Sequence, residues 1–248
     1  MRTAEIRYRQ LLFVRRHLRM KVPTEVAEMS PRQFVAAVSL SKGWIDSVQY
    51  FTDFFGIPRR LLMRIDDYYL FRLAGMLDTL TVSTDVPCPL FLIPSLDGGL
   101  VAPAAKLKGM SFEQFMAADT FFSWFAFAEK EVYLNKMIAS LYLRDGEDFF
   151  SLDMDRRTTE VARLPLNIRY AVAVNWSLVK SWLGEAYPYL FPKSEMKGTD
   201  KKRRPGSWLA LFDTVVGDNM PDVERYKRMQ CMDALRMLNR RIKDNKNR

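Results

Sequence analysis

The sequence predicts a mainly α, multi-helix globular fold with a small β component. Three observations predict it. First, nine residues occur in near copy, MSPRQFVAA from Met29 and MSFEQFMAA from Met110, and each copy reads as the start of a helix. Second, apolar residues recur at spacings of three and four along much of the chain. Third, Thr79 to Val101 changes grammar, with β-branched residues, Pro and Gly gathered together. Hydrophobic residues make up 48% of the 248 and aromatics 13%. That composition belongs to a chain that buries a core, in one large domain or two small ones.

The segment 1–22 reads as extended and basic. Ile6 and Tyr8 alternate with charges as in a strand, and Pro23 ends the pattern. The first helical unit, 23–80, opens on the capping box of Ser30 and Gln33, with Met29 and Phe34 spaced as a hydrophobic staple. Its first helix should fail near Gly43. A second is expected from Trp44 to Phe55, stopped by Gly56. Pro58 suits the first turn of a third helix, whose stripe is Leu62, Ile65, Tyr69, Leu73, Met76 and Leu80.

A β-hairpin connector follows at 81–108. The strand-like residues Phe91–Ile93, then Asp97-Gly98-Gly99, then Leu100 and Val101 place the hairpin near 86–103, because Asp-Gly tolerates the positive φ of a tight turn. The second helical unit, 109–192, opens on the second box at Ser111 and Gln114. A long aromatic helix is expected there, ending at Asp145-Gly146. A polar stretch, Asp153 to Arg163, leads to another helix from Pro165 to Leu183. The last region, 193–248, reads as a basic loop and a C-terminal helix from Asp222 to Lys243. The repeated box allows two related helical units, although local capping physics alone explains most of the identity.

The net charge of +9 favours an acidic partner. Residues 1–21 hold seven Lys or Arg against one Glu. The candidate contacts with nucleic acid or an acidic partner are Arg7, Arg9, Arg15, Arg16, Arg19, Lys201, Lys202, Arg203, Arg204, Arg240 and Arg241. The plain alternative is solvated helix faces. In the aromatic helix, Phe121, Phe122, Trp124 and Phe125 leave it apolar on two sides. Such a helix is central to a domain or packs on another subunit.

Little in the chain points to a reaction. His17 sits among arginines with no nucleophile pattern, and no Gly-x-Ser-x-Gly occurs. Asp97-Gly98-Gly99 is a turn without the Lys-Ser/Thr of a P-loop. Asp153 and Asp155, with Arg156 and Arg157 behind them, suggest a Mg²⁺-dependent phosphodiesterase, but a third carboxylate at a defined spacing is wanting. Cys88 and Cys231 are isolated and fit free thiols. One histidine and two scattered cysteines supply no metal-ligand spacing, and no cofactor motif is present. No stretch approaches ~18 uncharged apolar residues, so a membrane span is not expected. A secretory leader is not supported either.

The order of segments carries a further signal. "KVPTEVAEMSPRQF", "FFGIPRRLL", "FLIPSLDGGLVAPAAKLKGMSFEQFMAAD", "LNKMIASLYL" and "YPYLFP" follow one another over roughly residues 18–192. This order resembles structural or tail-assembly proteins of tailed phages of the Bacteroidetes, crAss-like phages included. The resemblance implies a non-enzymatic virion component. That component would be a neck or tail ring or connector subunit, assembled in the host cytoplasm and held by contacts with other phage structural proteins. It also implies a homo-oligomeric ring with DNA nearby. The alternatives are a basic helical nucleic-acid-binding protein and a tail-assembly chaperone.

Overall fold

The computed structural model describes residues 1–11, 14–77, 86–192, 208 and 220–246. The fold is mainly α with a small β component. The chain divides into two compact units, Met1–Val86 and Pro87–Arg248. This boundary differs from the five-segment expectation. The N-terminal segment is part of the first unit's core, and the hairpin near 95–101 belongs to the second unit.

In the first unit, β1 (Arg2–Leu11) and β2 (Val14–Val22) form an antiparallel ribbon. Helix α1 (Pro31–Ser41) opens on the full capping box. Gln33 N–H donates to Ser30 Oγ at 3.3 Å, and Ser30 N–H donates to Gln33 Oε1 at 2.9 Å. Helix α2 (Ser47–Phe55) starts later than Trp44, because Asp46 accepts from Gln49 N–H at 2.7 Å and fixes the cap there. Gly56 ends it in the left-handed region at φ 68°. The expected third helix is broken into α3 (Arg59–Leu62) and α4 (Asp67–Leu77). One tertiary and one local contact mark the break. Ile65 forms a bridge to Tyr8 of β1, and Asp66 accepts from Tyr68 N–H at 2.9 Å. The stripe still points one way, with Leu62, Ile65 and Leu73 buried. Leu80 lies outside the described residues.

In the second unit, β3 (Ser95–Leu96) and β4 (Leu100–Val101) flank the Asp97-Gly98-Gly99 turn as the sequence predicts. Phe91–Ile93, by contrast, pair with no strand among the described residues. They form a buried strap tied by side chains. Asn175 Oδ1 accepts from Leu92 N–H at 2.6 Å, Asn175 Nδ2 donates to Leu90 C=O at 2.8 Å, and Tyr142 OH donates to Ile93 C=O at 2.7 Å.

Helix α5 (Phe112–Ala128) opens on Ser111, which accepts from Gln114 N–H at 3.2 Å. This box is only half formed. Gln114 is buried and donates to Ser140 C=O at 2.9 Å, so its side chain serves the end of the next helix. The expected single aromatic helix stops at Glu129, which takes a left-handed φ of 55°, and α6 (Glu131–Leu141) folds back on α5. The polar stretch after Asp153 is itself a helix, α7 (Met154–Val161), capped by Asp153, which accepts from Arg156 N–H at 3.0 Å. Helix α8 (Leu166–Ala186) carries the fully buried Trp176 between the rings of Phe91 and Phe115.

The C-terminal helix divides into α9 (Met220–Arg228) and α10 (Cys231–Lys246). Met229 and Gln230 leave the helix, and the backbone from 229 to 231 pairs with the start of α5. Phe112 N–H donates to Met229 C=O and Cys231 N–H to Met110 C=O, both at 2.9 Å. The basic loop expected at 193–205 lies outside the described residues. Cys88 and Cys231 are free and buried.

Candidate nucleic-acid interface

Strand periodicity builds the candidate surface. Successive residues of a strand alternate between faces, and residues directly opposite across an antiparallel pair share a face. The register pairs Ala4 with Met20, Ile6 with Leu18 and Tyr8 with Arg16 on one face. Ala4, Ile6 and Val22 are buried there with Ile57, Leu62, Ile65 and Leu73, and Tyr8, Leu18 and Met20 pack around them. This apolar side anchors the ribbon to its own unit.

The other face is assembled from Thr3↔Lys21, Glu5↔Arg19, Arg7↔His17 and Arg9↔Arg15. Five Lys or Arg positions and His17 therefore stand against one Glu. Glu5, His17, Arg19 and Lys21 are exposed. Glu5 Oε1 lies 2.7 Å from His17 Nδ1, which places the one carboxylate beside the imidazole. Along each strand the alternate positions repeat at about 6.8 Å, and opposite positions lie about 5 Å apart. Positions 15 to 21 thus extend the cationic array over about 20 Å.

One facing pair, Arg9↔Arg15, sets two cationic residues opposite each other. Like charges directly opposite weaken a ribbon.

The sequence-predicted contacts fare unequally. Arg19 is exposed on the cationic face, Arg7, Arg9 and Arg15 hold register positions in phase with it, and Arg16 is the register partner of Tyr8. Lys21 and His17 belong to the surface and were not expected in it. Their signal was the alternation Arg15, His17, Arg19, Lys21. Lys201, Lys202, Arg203 and Arg204 lie outside the described residues. On α10, Arg240 Nε is 3.9 Å from Asp244, and Arg241 lies 6.0 Å from the Tyr226 ring centroid.

The aromatic residues of α5 also divide. Phe125 is buried against Tyr170, with ring centroids 5.5 Å apart. Phe121, Phe122 and Trp124 are half-buried. Lys136 Nζ stands 5.8 Å from the Phe121 ring, Lys180 Nζ 5.3 Å from that of Phe122, and Trp124 stacks on Tyr133 at 5.9 Å. Lys180 also pairs with the buried Asp119 at 2.7 Å.

The carboxylates considered for metal are otherwise engaged. Asp153 caps α7, and Asp155 lies 3.8 Å from Lys136. No group of three or more His, Cys, Asp or Glu suited to a metal occurs among the described residues. No described helix is long and apolar enough to cross a membrane. Comparison with protein-family models, curated proteins and solved structures finds no match to this chain.

Proposed function

We propose that this chain is a non-enzymatic structural or assembly protein of a tailed-phage particle, and that the outer face of the β1–β2 ribbon is where it meets nucleic acid. The particle reading is supported by the order of sequence segments described above. The nucleic-acid reading is carried by one observation: a ribbon face with six basic positions and a single acid, set on the side away from its apolar anchor.

Physical chemistry favours duplex nucleic acid as the partner. A two-stranded ribbon fits the major groove, and arginines contact phosphates on either wall. The array offers charge without a matching set of base-reading amides, so binding is expected to depend weakly on sequence.

The test is fluorescence anisotropy with a labelled duplex. The variant Arg9→Gln/Arg15→Gln/Arg19→Gln/Lys21→Gln should bind at least a hundredfold more weakly while keeping the wild-type fold by circular dichroism. Equal binding by both proteins would reject the ribbon as the contact. Mass spectrometry of purified particles tests the remainder: the chain should be present in, or required for, assembled virions.

A further inference from the structure

The second unit holds a concavity of about 450 Å³ lined by Arg144, Arg156, Thr159, Glu160 and Arg163. The 3.6-residue repeat of α7 and the turn that follows it brings positions 156, 159, 160 and 163 to one side. Arg144 approaches from the loop after α6 and is held firmly. Its Nε donates to Gly98 C=O at 3.3 Å, and its guanidinium pairs with one oxygen of Glu160. The other Glu160 oxygen lies 3.2 Å from Arg157 Nε. Arg157 is only 3% exposed, pairs with Glu147 at 2.6 Å, and donates to Tyr142 C=O at 3.1 Å.

Arg144 and Arg157 offset Glu147 and Glu160 in a closed ring of four ion pairs. Asp155 is matched by Lys136. Arg156 and Arg163 are exposed and form no ion pair with a described residue. Two positive charges are left over beside a guanidinium already fixed in direction.

We propose that this concavity binds a phosphoryl dianion. Guanidinium forks match phosphate oxygens in pairs, and an excess of two charges matches a phosphate monoester or inorganic phosphate. The one carboxylate in the lining, Glu160, has each of its oxygens on an arginine and so repels an anion less than a free acid would. The site involves no part of the ribbon, which lies in the other unit.

The experiment is a calorimetric titration of the full chain with inorganic phosphate, paired with NMR of the Thr159 and Arg163 amides. A dinucleotide without terminal phosphate serves as a phosphodiester probe. Phosphate should bind and shift both amides, and Arg156→Ala or Arg163→Ala should each weaken it roughly tenfold, the cost of losing one charged hydrogen-bonding partner. Both side chains are exposed, so thermal unfolding should be unchanged. Preference for inorganic phosphate assigns the site to a free phosphate or monoester. Equal binding of the dinucleotide, whose phosphodiester carries a single charge, would overturn the dianion assignment. Phosphate binding no tighter than chloride, or unaltered in the Arg156→Ala/Arg163→Ala double variant, would overturn the proposal.

Discussion

Replacing Asn175 with leucine removes both hydrogen bonds that hold the Leu90–Leu92 backbone against α8. Asn175 is fully buried, and its Oδ1 is the partner of Leu92 N–H at 2.6 Å in the dry interior. Its Nδ2 serves Leu90 C=O at 2.8 Å, where Leu90 is 36% exposed. An orphaned buried polar group costs about 1–3 kcal/mol. Leu92 N–H bears about 2 kcal/mol of that in full, and Leu90 C=O about half as much because water reaches it. The expected loss is therefore about 3 kcal/mol, a large fraction of the ~5–15 kcal/mol that holds a typical protein folded. Four of the five tryptophans, Trp124, Trp176, Trp182 and Trp208, lie in the second unit, so tryptophan fluorescence during urea unfolding reports mainly on it. The midpoint should fall steeply with little change in slope. Tyr142→Phe removes the neighbouring bond to Ile93 C=O and should couple to Asn175→Leu, because both tie the same strap. A loss below about 0.5 kcal/mol for Asn175→Leu would refute the claim that this side chain substitutes for a missing strand partner.

Glu147 governs part of the acid response. Burial raises the affinity of its carboxyl for protons, but the hydrogen bond from Arg157, the Arg144 N–H and the two arginine charges outweigh it and hold the group below its ordinary value of 4.5. A lowered folded-state value gives stability that is present above the ordinary carboxylate range and lost as pH falls through the folded value. Melting temperatures measured from pH 6 downward should fall less steeply for Glu147→Gln than for wild type. Gly98→Ala should destabilise by at least about 1 kcal/mol in urea unfolding, since Gly98 has φ +80° and a Cβ there would sit 3.1 Å from Glu160 Oε1. Cys88 and Cys231 are buried, and burial pushes both thiols up, with the Asp119 charge adding to the rise at Cys231. A thiol reagent such as DTNB should label them only as fast as the second unit unfolds.

Local chemistry made much of the fold legible in the sequence. Ser30, Ser111 and Gly56 each act within one turn, so their roles show in a short window of residues. The breaks were hidden because tertiary partners make them. Glu129 is no helix breaker by composition, yet it ends α5 where α6 must turn back. Met229 and Gln230 interrupt a good helical pattern, where the backbone from 229 to 231 pairs with Met110 and Phe112. Gln114 fits a capping box but serves the carbonyls of α6.

The candidate surface was half legible. Its cations were visible in number, but Leu11–Val14 reads as a continuous apolar run and obscured the alternation on either side. Without the register, Arg16 was indistinguishable from Arg15, and the cross-strand gathering of Arg7, Arg9, Arg15, Arg19 and Lys21 was out of reach. The phosphate-sized concavity was less accessible still, since Arg144 and Arg163 meet only through the packing of α6 and α7.

The salt dependence of duplex binding tests the central claim most directly. If the ribbon's five Lys and Arg positions engage phosphates, the logarithm of the association constant should fall against that of salt concentration with a slope near about −4.5. The quadruple glutamine variant should lose most of that slope. A wild-type slope shallower than about −1, or one that the variant leaves unchanged, would contradict the account.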